Sequence, residues 1–408
     1  MLDWAKQFSI FLFLDSNDYR SQYGKYECLL AAGTVATIAD TSLEALQEIH
    51  NLHKDWFFGH IAYDHKNALE PRLSSGHDVQ TGFPSLFFFC PQVVIHVNPE
   101  QTELTIESHD IPPQIVFDTI INAGAYTPAS LPSLQFKYNT SREEYLHTIA
   151  ALQEHIANGD CYEINFCTQG YTTAPHLEPL HLFNRLNELS PAPFAAYYRL
   201  EDKYMACSSP ERYLQKSGNI LRSQPIKGTA RRVENAALDA ALKTDLQLNE
   251  KERAENVMIV DLVRNDLARS CETGSVTVDE LFGIYSFPQV HQMISTISAT
   301  LRDTEPFTNA IKYSFPMGSM TGAPKVKVME LIEHYEHSRR ELFSGTVGYI
   351  TPGADFDFNV IIRSLFYNAS NHYLSYQAGG AITYDSIAEK EWDEMRLKAW
   401  ALERIFNA

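Results

Sequence analysis

SREEYLHTIAALQEHIANGDCYEINFCTQGYT, residues 141–172, carries the reading that decides the fold. Ser141 and Glu144 stand in the spacing of a capping box, where serine takes a free helix N–H and glutamate reaches back to the cap. EEYLHTIAALQEHIA then repeats its apolar residues at helical spacing, and Asn158-Gly159 is a stop signal. CYEINFCTQGYT follows directly and reads as a strand. Working outward, strands are expected at 8–15, 26–32, 57–63 and 86–97, with a helix at 42–53. Pro112, Pro113, Pro128 and Pro132 mark residues 111–133 as a linker between an amino-terminal part, 1–130, and a main part, 131–408. Beyond residue 172 come a helix at 179–189, strands at 194–200, 203–207 and 211–215, and a long helix at 249–269. Strands at 275–285 and 291–301, a helix at 324–335, strands at 344–350, 358–367 and 372–378, and a helix at 387–406 complete the chain. Runs of strands broken by long helices, with no regular β-α-β alternation, predict an α+β fold.

The formal charge of −18 and the lack of any long basic run argue against nucleic acid or an anionic membrane as partner. The six cysteines form no CxxC pair, so neither a zinc site nor a disulfide scaffold is expected. MLDWAKQFSIFLFLDS is too short an apolar run for a signal peptide or a spanning helix, and a cytoplasmic protein is expected.

Two helices carry charges on unusual faces. In KERAENVMIVDLVRNDLAR, Glu255 falls in step with Met258, Ile259 and Leu262, which places a carboxylate on an apolar stripe. Such a group must be paired, with Arg253 or Arg264 within reach, or bind a metal. In the last helix Glu391, Glu394 and Lys398 share one line beside the packing stripe of Trp392, Met395, Ala399, Leu402 and Phe406. That line reads either as a solvated face or as a site for Mg²⁺ with a carboxylate ligand. FPMGSMTGAPKVKVMELI places a glycine- and serine-containing turn before a helix start, where backbone N–H groups face an anion. Tyr349 in SGTVGYI and Arg363 in FNVIIRSL interrupt apolar strands, and Gly379-Gly380 in QAGGAI lets backbone approach a ligand closely. An internal ion pair is the alternative for Arg363.

Together, SSPERYL, PIKGTARR, KERAENVMIVDLVRNDLAR, FPQVHQMISTI, FPMGSMTGAPKVKVMELI, SGTVGYI, IIRSL and EWDEMRLKA resemble the chorismate-utilising enzymes, in the order in which that family carries them. The likeness covers residues 140–404, and the first 130 residues resemble the family's amino-terminal part more loosely. It implies one large α+β unit with antiparallel sheets packed face to face, helices outside, and Mg²⁺-dependent chemistry on chorismate. It also implies roles residue by residue. Glu255, Glu394 and Glu391 are expected around the metal, Arg363, Tyr349 and Lys398 on a substrate carboxylate, and His291 and Thr321 beside the ring. Gly379 and Gly380 are expected at the substrate, and Glu211 of SPER as the general acid.

Lys227 distinguishes branches of this family. Members that make anthranilate or isochorismate resemble one another in carrying alanine at this position, whereas those that make 4-amino-4-deoxychorismate carry lysine. A neutral lysine amine can attack the ring at C2 and expel the C4 hydroxyl, after which ammonia enters at C4 and displaces the lysine. This requires the lysine to titrate below ~10.4. The resemblance therefore implies the ammonia-using branch that feeds 4-aminobenzoate and folate synthesis, with anthranilate formation as the alternative. No glutaminase motif is present, so ammonia is expected from a separate glutamine amidotransferase subunit, and pyruvate elimination from another enzyme. Glu163 stands where the water-using members carry a lysine base and the ammonia-using members usually carry glutamine. Ala381 replaces a usual glycine, at a cost of ~1 kcal/mol if the backbone there needs positive φ. Ala31 and Ala32 replace the polar pair of a tryptophan-binding stretch, so inhibition by tryptophan is not expected.

Overall fold

The computed structural model describes residues 1–123, 131–287 and 290–407. Two antiparallel sheets, of eleven and ten strands among the described residues, pack face to face. Strand alternation accounts for the layering. In Ile10–Asp15, Leu12 points into the core between the sheets, while Phe11 and Phe13 point to the opposite face, which helices cover. With both faces buried, the strand reads as an unbroken apolar run instead of alternating with polar residues. Each such phenylalanine contributes about 1.5–3 kcal/mol by leaving water.

Three helices cover the outer face of the eleven-stranded sheet. Arg142–Ala157, capped by Ser141 and Glu144 as expected, supplies Tyr145, Ile149 and Leu152. Pro179–Leu189 supplies Leu182 and Phe183, and Ala388–Arg404 supplies Met395, Ala399 and Leu402. The long helix Glu250–Ala268 instead packs against the ten-stranded sheet and the helix Phe307–Ser314, burying Ile259, Val260 and Val263. The amino-terminal part is woven into both sheets. Ile10–Asp15 pairs with Phe194–Leu200, and Phe57–Ile61 pairs with Thr346–Ile350.

Several sequence expectations change here. Residues 86–97 form two strands, Leu86–Cys90 and Val93–Val97, in different sheets; Pro91 stands at the crossing and offers no N–H to a ladder. Residues 358–367 likewise divide into Phe356–Asn359 and Ser364–Asn368, one in each sheet. Ala236–Leu248 is a helix not expected from the sequence; it is mostly exposed and buries only Leu246. The expected linker contains the helix Pro113–Ile121, while its residues 124–130, Pro128 included, lie outside the described residues, as do Pro288 and Gln289 of FPQVHQM. No described helix is long and apolar enough to cross a membrane.

Candidate active site

The site forms where the chain crosses between sheets. After Ser209 it leaves the eleven-stranded sheet and enters the other at Arg212, and it makes the reverse crossing between Asn359 and Ser364. The two crossings lie side by side: Val360 N–H donates to the Glu211 carbonyl at 3.0 Å, and Ser208 N–H to the Arg363 carbonyl at 3.2 Å. Arg363 adopts φ 50, a left-handed conformation that costs a non-glycine residue on the order of 1–3 kcal/mol and persists only where its surroundings over-determine it. This geometry brings the Glu211 and Arg363 charges into each other's field. Among the described residues no side-chain hydrogen bond or ion pair engages the Arg363 guanidinium.

Lys227 approaches from the edge of the ten-stranded sheet. Its strand, Ile226–Arg231, pairs with Val290–Thr300, and the register shifts between Ile226 and Thr229. That bulge contains Lys227 and Gly228, and Gly228 takes φ 91, where a side chain would be strained. Glu163 opens the strand Glu163–Thr173 of the other sheet. Lys227 Nζ lies 2.5 Å from Glu163 Oε1, with the side chains 9% and 3% exposed. The buried Oε2 of Glu163 has no partner. The ion pair thus joins the two sheets across the site.

The helix Glu250–Ala268 and the last helix bring further carboxylates. Glu255 is buried, and its partner is neither arginine considered from the sequence: Arg264 pairs with Asp261, and Arg253 stacks on Phe282. Instead Lys251 Nζ lies 3.6 Å from Glu255 Oε1 and 3.5 Å from Glu391 Oε1, bridging the two helices. Glu391 is buried in the packing stripe with Met395, Ala399 and Leu402. Glu394, half-exposed, pairs with Lys398 at 2.8 Å, and Lys398 also donates to the Gly379 carbonyl at 3.0 Å. This donor set suits a hard divalent cation: it offers oxygen ligands only, and two lysine ammoniums already stand where positive charge is wanted. The three carboxylates are not drawn within 4.8 Å of one another, as a closed metal cage would be.

Burial dominates the titration of these groups. It pushes both Glu211 and Glu255 up to about 7, against the opposing hydrogen bond of Ser319 and charge of Lys227 on Glu211, and the charge of Lys227 on Glu255. Glu394 is held below the carboxylate range by Lys398. For Lys227, burial favours the neutral amine, but Glu163, Glu255 and Glu211 together outweigh it and raise the pKa. The expectation of a depressed lysine is therefore corrected: three carboxylates hold Lys227 as an ammonium in the metal-free chain.

Tyr349 and His291 have other neighbours. Tyr349 packs its ring against Tyr26, Trp56 and Phe58, because the Thr346–Ile350 strand turns it into an aromatic cluster between the sheets. It lines a separate cavity of about 340 Å³ with Leu29, Phe194, Arg212 and Asp357, which Lys227, Glu211, Glu255 and Arg363 do not border. His291 is buried, its Nδ1 hydrogen-bonded with Ser286 at 2.9 Å and its Nε2 3.2 Å from Asp239 Oδ1, and no hydrogen bond or ion pair joins it to Lys227 or Glu163 among the described residues. Thr321 is buried beside the Glu163 strand: its carbonyl accepts from Asn165 N–H, and its hydroxyl donates to Met317 O at 3.1 Å. The helix start after Pro324 is closed off on one side, since Lys325 pairs with Asp266 at 2.7 Å.

Gly379 is required by close strand approach, because a Cβ there would lie 2.1 Å from the Phe166 carbonyl oxygen. Gly380 faces the charged cluster, with Glu391 Oε2 and Lys398 Nζ near where its Cβ would be. Ala381 pairs in register with Asn165 and is not among the residues of positive φ, so the feared strain is absent. Sequence reasoning missed the support behind the site. Arg340, fully buried, is paired with Glu336 and donates to the carbonyls of Asn165 and Met320, while Glu336 accepts from Cys167 N–H. The signal available was Glu336 and Arg340 at i,i+4, though the spacing does not reveal burial.

The chain matches the family model described as chorismate binding enzyme over residues 11–404. It is 36% identical over 359 residues to the probable chloroplastic aminodeoxychorismate synthase of Oryza sativa subsp. japonica, covering 85% of this chain but only 39% of that protein. It is 34% identical to aminodeoxychorismate synthase component 1 of Klebsiella aerogenes, over 82% of this chain and 74% of that one. Its fold is similar to the crystal structure of anthranilate synthase component I from Streptococcus pneumoniae, with a TM-score of 0.83 at 24% identity, covering 95% of this chain and 94% of the other.

Proposed function

Because the chain belongs to the chorismate binding enzyme family, we propose that it converts chorismate and ammonia to 4-amino-4-deoxychorismate. The observation that carries this reading is Lys227, buried within 2.5 Å of a carboxylate at the centre of the site. Alanine there could neither attack the ring nor hand on a proton. Similarity to proteins named aminodeoxychorismate synthase supports the same branch, and the component 1 name of the Klebsiella relative supports a second, ammonia-supplying amidotransferase subunit. We place the protein in the cytoplasm.

Arg363 is unpaired among the described residues and pre-formed, so a substrate carboxylate docking on it replaces hydration with a charge-assisted hydrogen bond. Lys398, fixed between Glu394 and Gly379, offers a second cation. Glu211, titrating at about 7, keeps a proton to give near neutral pH. Lys227 loses a proton to Glu163, and its amine forms a bond to C2 as the C4–O bond breaks. The hydroxyl departs as water with the proton of Glu211. Ammonia then forms the C4–N bond while the C2–N bond to Lys227 breaks; the incoming nitrogen returns one proton to Glu211, and Glu163 returns its proton to the freed Lys227 amine. Glu255, Glu391 and Glu394 would hold Mg²⁺, which when bound supplies charge neutralisation for a substrate carboxylate.

The test incubates the protein with chorismate, Mg²⁺ and concentrated ammonium at alkaline pH, with and without an aminodeoxychorismate lyase. Mass spectrometry is expected to find 4-aminobenzoate only when the lyase is present. Anthranilate, visible by its fluorescence, would overturn the assignment.

A further inference from the structure

Lys251 occupies a position that the proposed chemistry leaves unused. It begins the helix that carries Glu255, and its ammonium lies between Glu255 at 3.6 Å and Glu391 at 3.5 Å, two buried carboxylates on different helices. The charges of Glu252 and Glu394 also act on this ammonium or are acted on by it. Two buried carboxylates facing each other without a cation would repel. Lys251 is nevertheless not built in like the buried Arg340: its side chain is 47% exposed, and both contacts are longer than the 2.8 Å of Lys398 to Glu394. A flexible four-carbon stem with an exposed path lets the ammonium leave without moving the helix.

We propose that Lys251 is a resident cation, holding Glu255 and Glu391 in register in the metal-free protein and swinging into solvent when Mg²⁺ takes its place. This rests on the assignment of Glu255 and Glu391 to the metal. One ammonium replaced by a dication leaves the carboxylates in place, so the site is pre-organised before metal arrives. Its cost is competition, since metal must displace a charge already paired with two of its ligands.

Two measurements test the exchange, both with chorismate present and ammonia absent so that no turnover occurs. Lysine acylation followed by mass spectrometry should label Lys251 several-fold faster at saturating Mg²⁺ than in chelator, while Lys325, partly buried and paired with Asp266, stays constant. Calorimetric titration should find Mg²⁺ binding on the order of tenfold tighter in Lys251→Met, because a competing unit charge near 4 Å is removed. Mg²⁺ binding with unchanged Lys251 labelling, or with unimproved affinity in Lys251→Met, overturns the exchange alone. If the wild-type protein binds no Mg²⁺, the metal assignment falls and the exchange with it.

Discussion

Replacing Glu255 by glutamine should stabilise the metal-free protein at pH 8 and leave it nearly unchanged at pH 4.5. Burial raises the Glu255 carboxyl from 4.5 to about 7, a change of about 2.5 units, and its side chain is only 10% exposed. At 1.36 kcal/mol per unit this is at most about 3 kcal/mol. The sign follows from proton binding. Between pH 4.5 and 7 the folded chain holds the Glu255 proton more tightly than the unfolded chain, so the stability present at low pH is lost as pH rises through about 7. Glutamine cannot ionise, so Glu255→Gln escapes that loss. Urea unfolding in chelator, followed by tryptophan fluorescence, should show the variant ahead by about 2–3 kcal/mol at pH 8. Added Mg²⁺ should then stabilise the wild type at pH 8 and do little for Glu255→Gln. An equal difference at both pH values would refute the reasoning, since an amide that merely packs better has no reason to depend on pH.

Lys227→Ala should still bind chorismate while losing about 10³-fold or more of the C4-amino product, measured by mass spectrometry; near-normal turnover would sink covalent catalysis. Arg363→Ala should raise the chorismate KM by about 10²-fold, because a buried charge-assisted pair is lost, whereas an unchanged KM would remove Arg363 from the substrate. Tyr349→Phe should leave KM and kcat within about twofold, since its ring, which phenylalanine keeps, is what packs in the aromatic cluster; a large KM effect would place its hydroxyl on the substrate.

Much of the fold was legible because the chain repeats local signals that carry their own physics. The Ser141–Glu144 capping box, the helix it starts and the strand after it all stand where the spacing put them. The α+β class followed from strand runs without regular helical crossovers, and the antiparallel sheets from the family resemblance. Less legible was where one apolar run changes sheets: FNVIIRSL looks like a single strand because both faces of each sheet are buried, and no polar alternation marks the crossing. The buried carboxylate of Glu255 announced itself against its apolar stripe, whereas Glu391 read as one of a line beside the packing stripe, and spacing could not say that it is buried or which cation the two meet.

Residue chemistry by itself thus determined which groups are out of place: a lysine before a strand glycine, a carboxylate on a packing face, an arginine in an apolar run. Tertiary structure decided their company. It joined Lys227 to Glu163 across two sheets, inserted Lys251 between two helices, and gave Tyr349 an aromatic cluster and His291 the Asp239 carboxylate as neighbours. The reason is geometric. Periodicity fixes the face a side chain takes within its own element, whereas its partner and its charge state depend on which other element, often more than a hundred residues distant, is packed against that face.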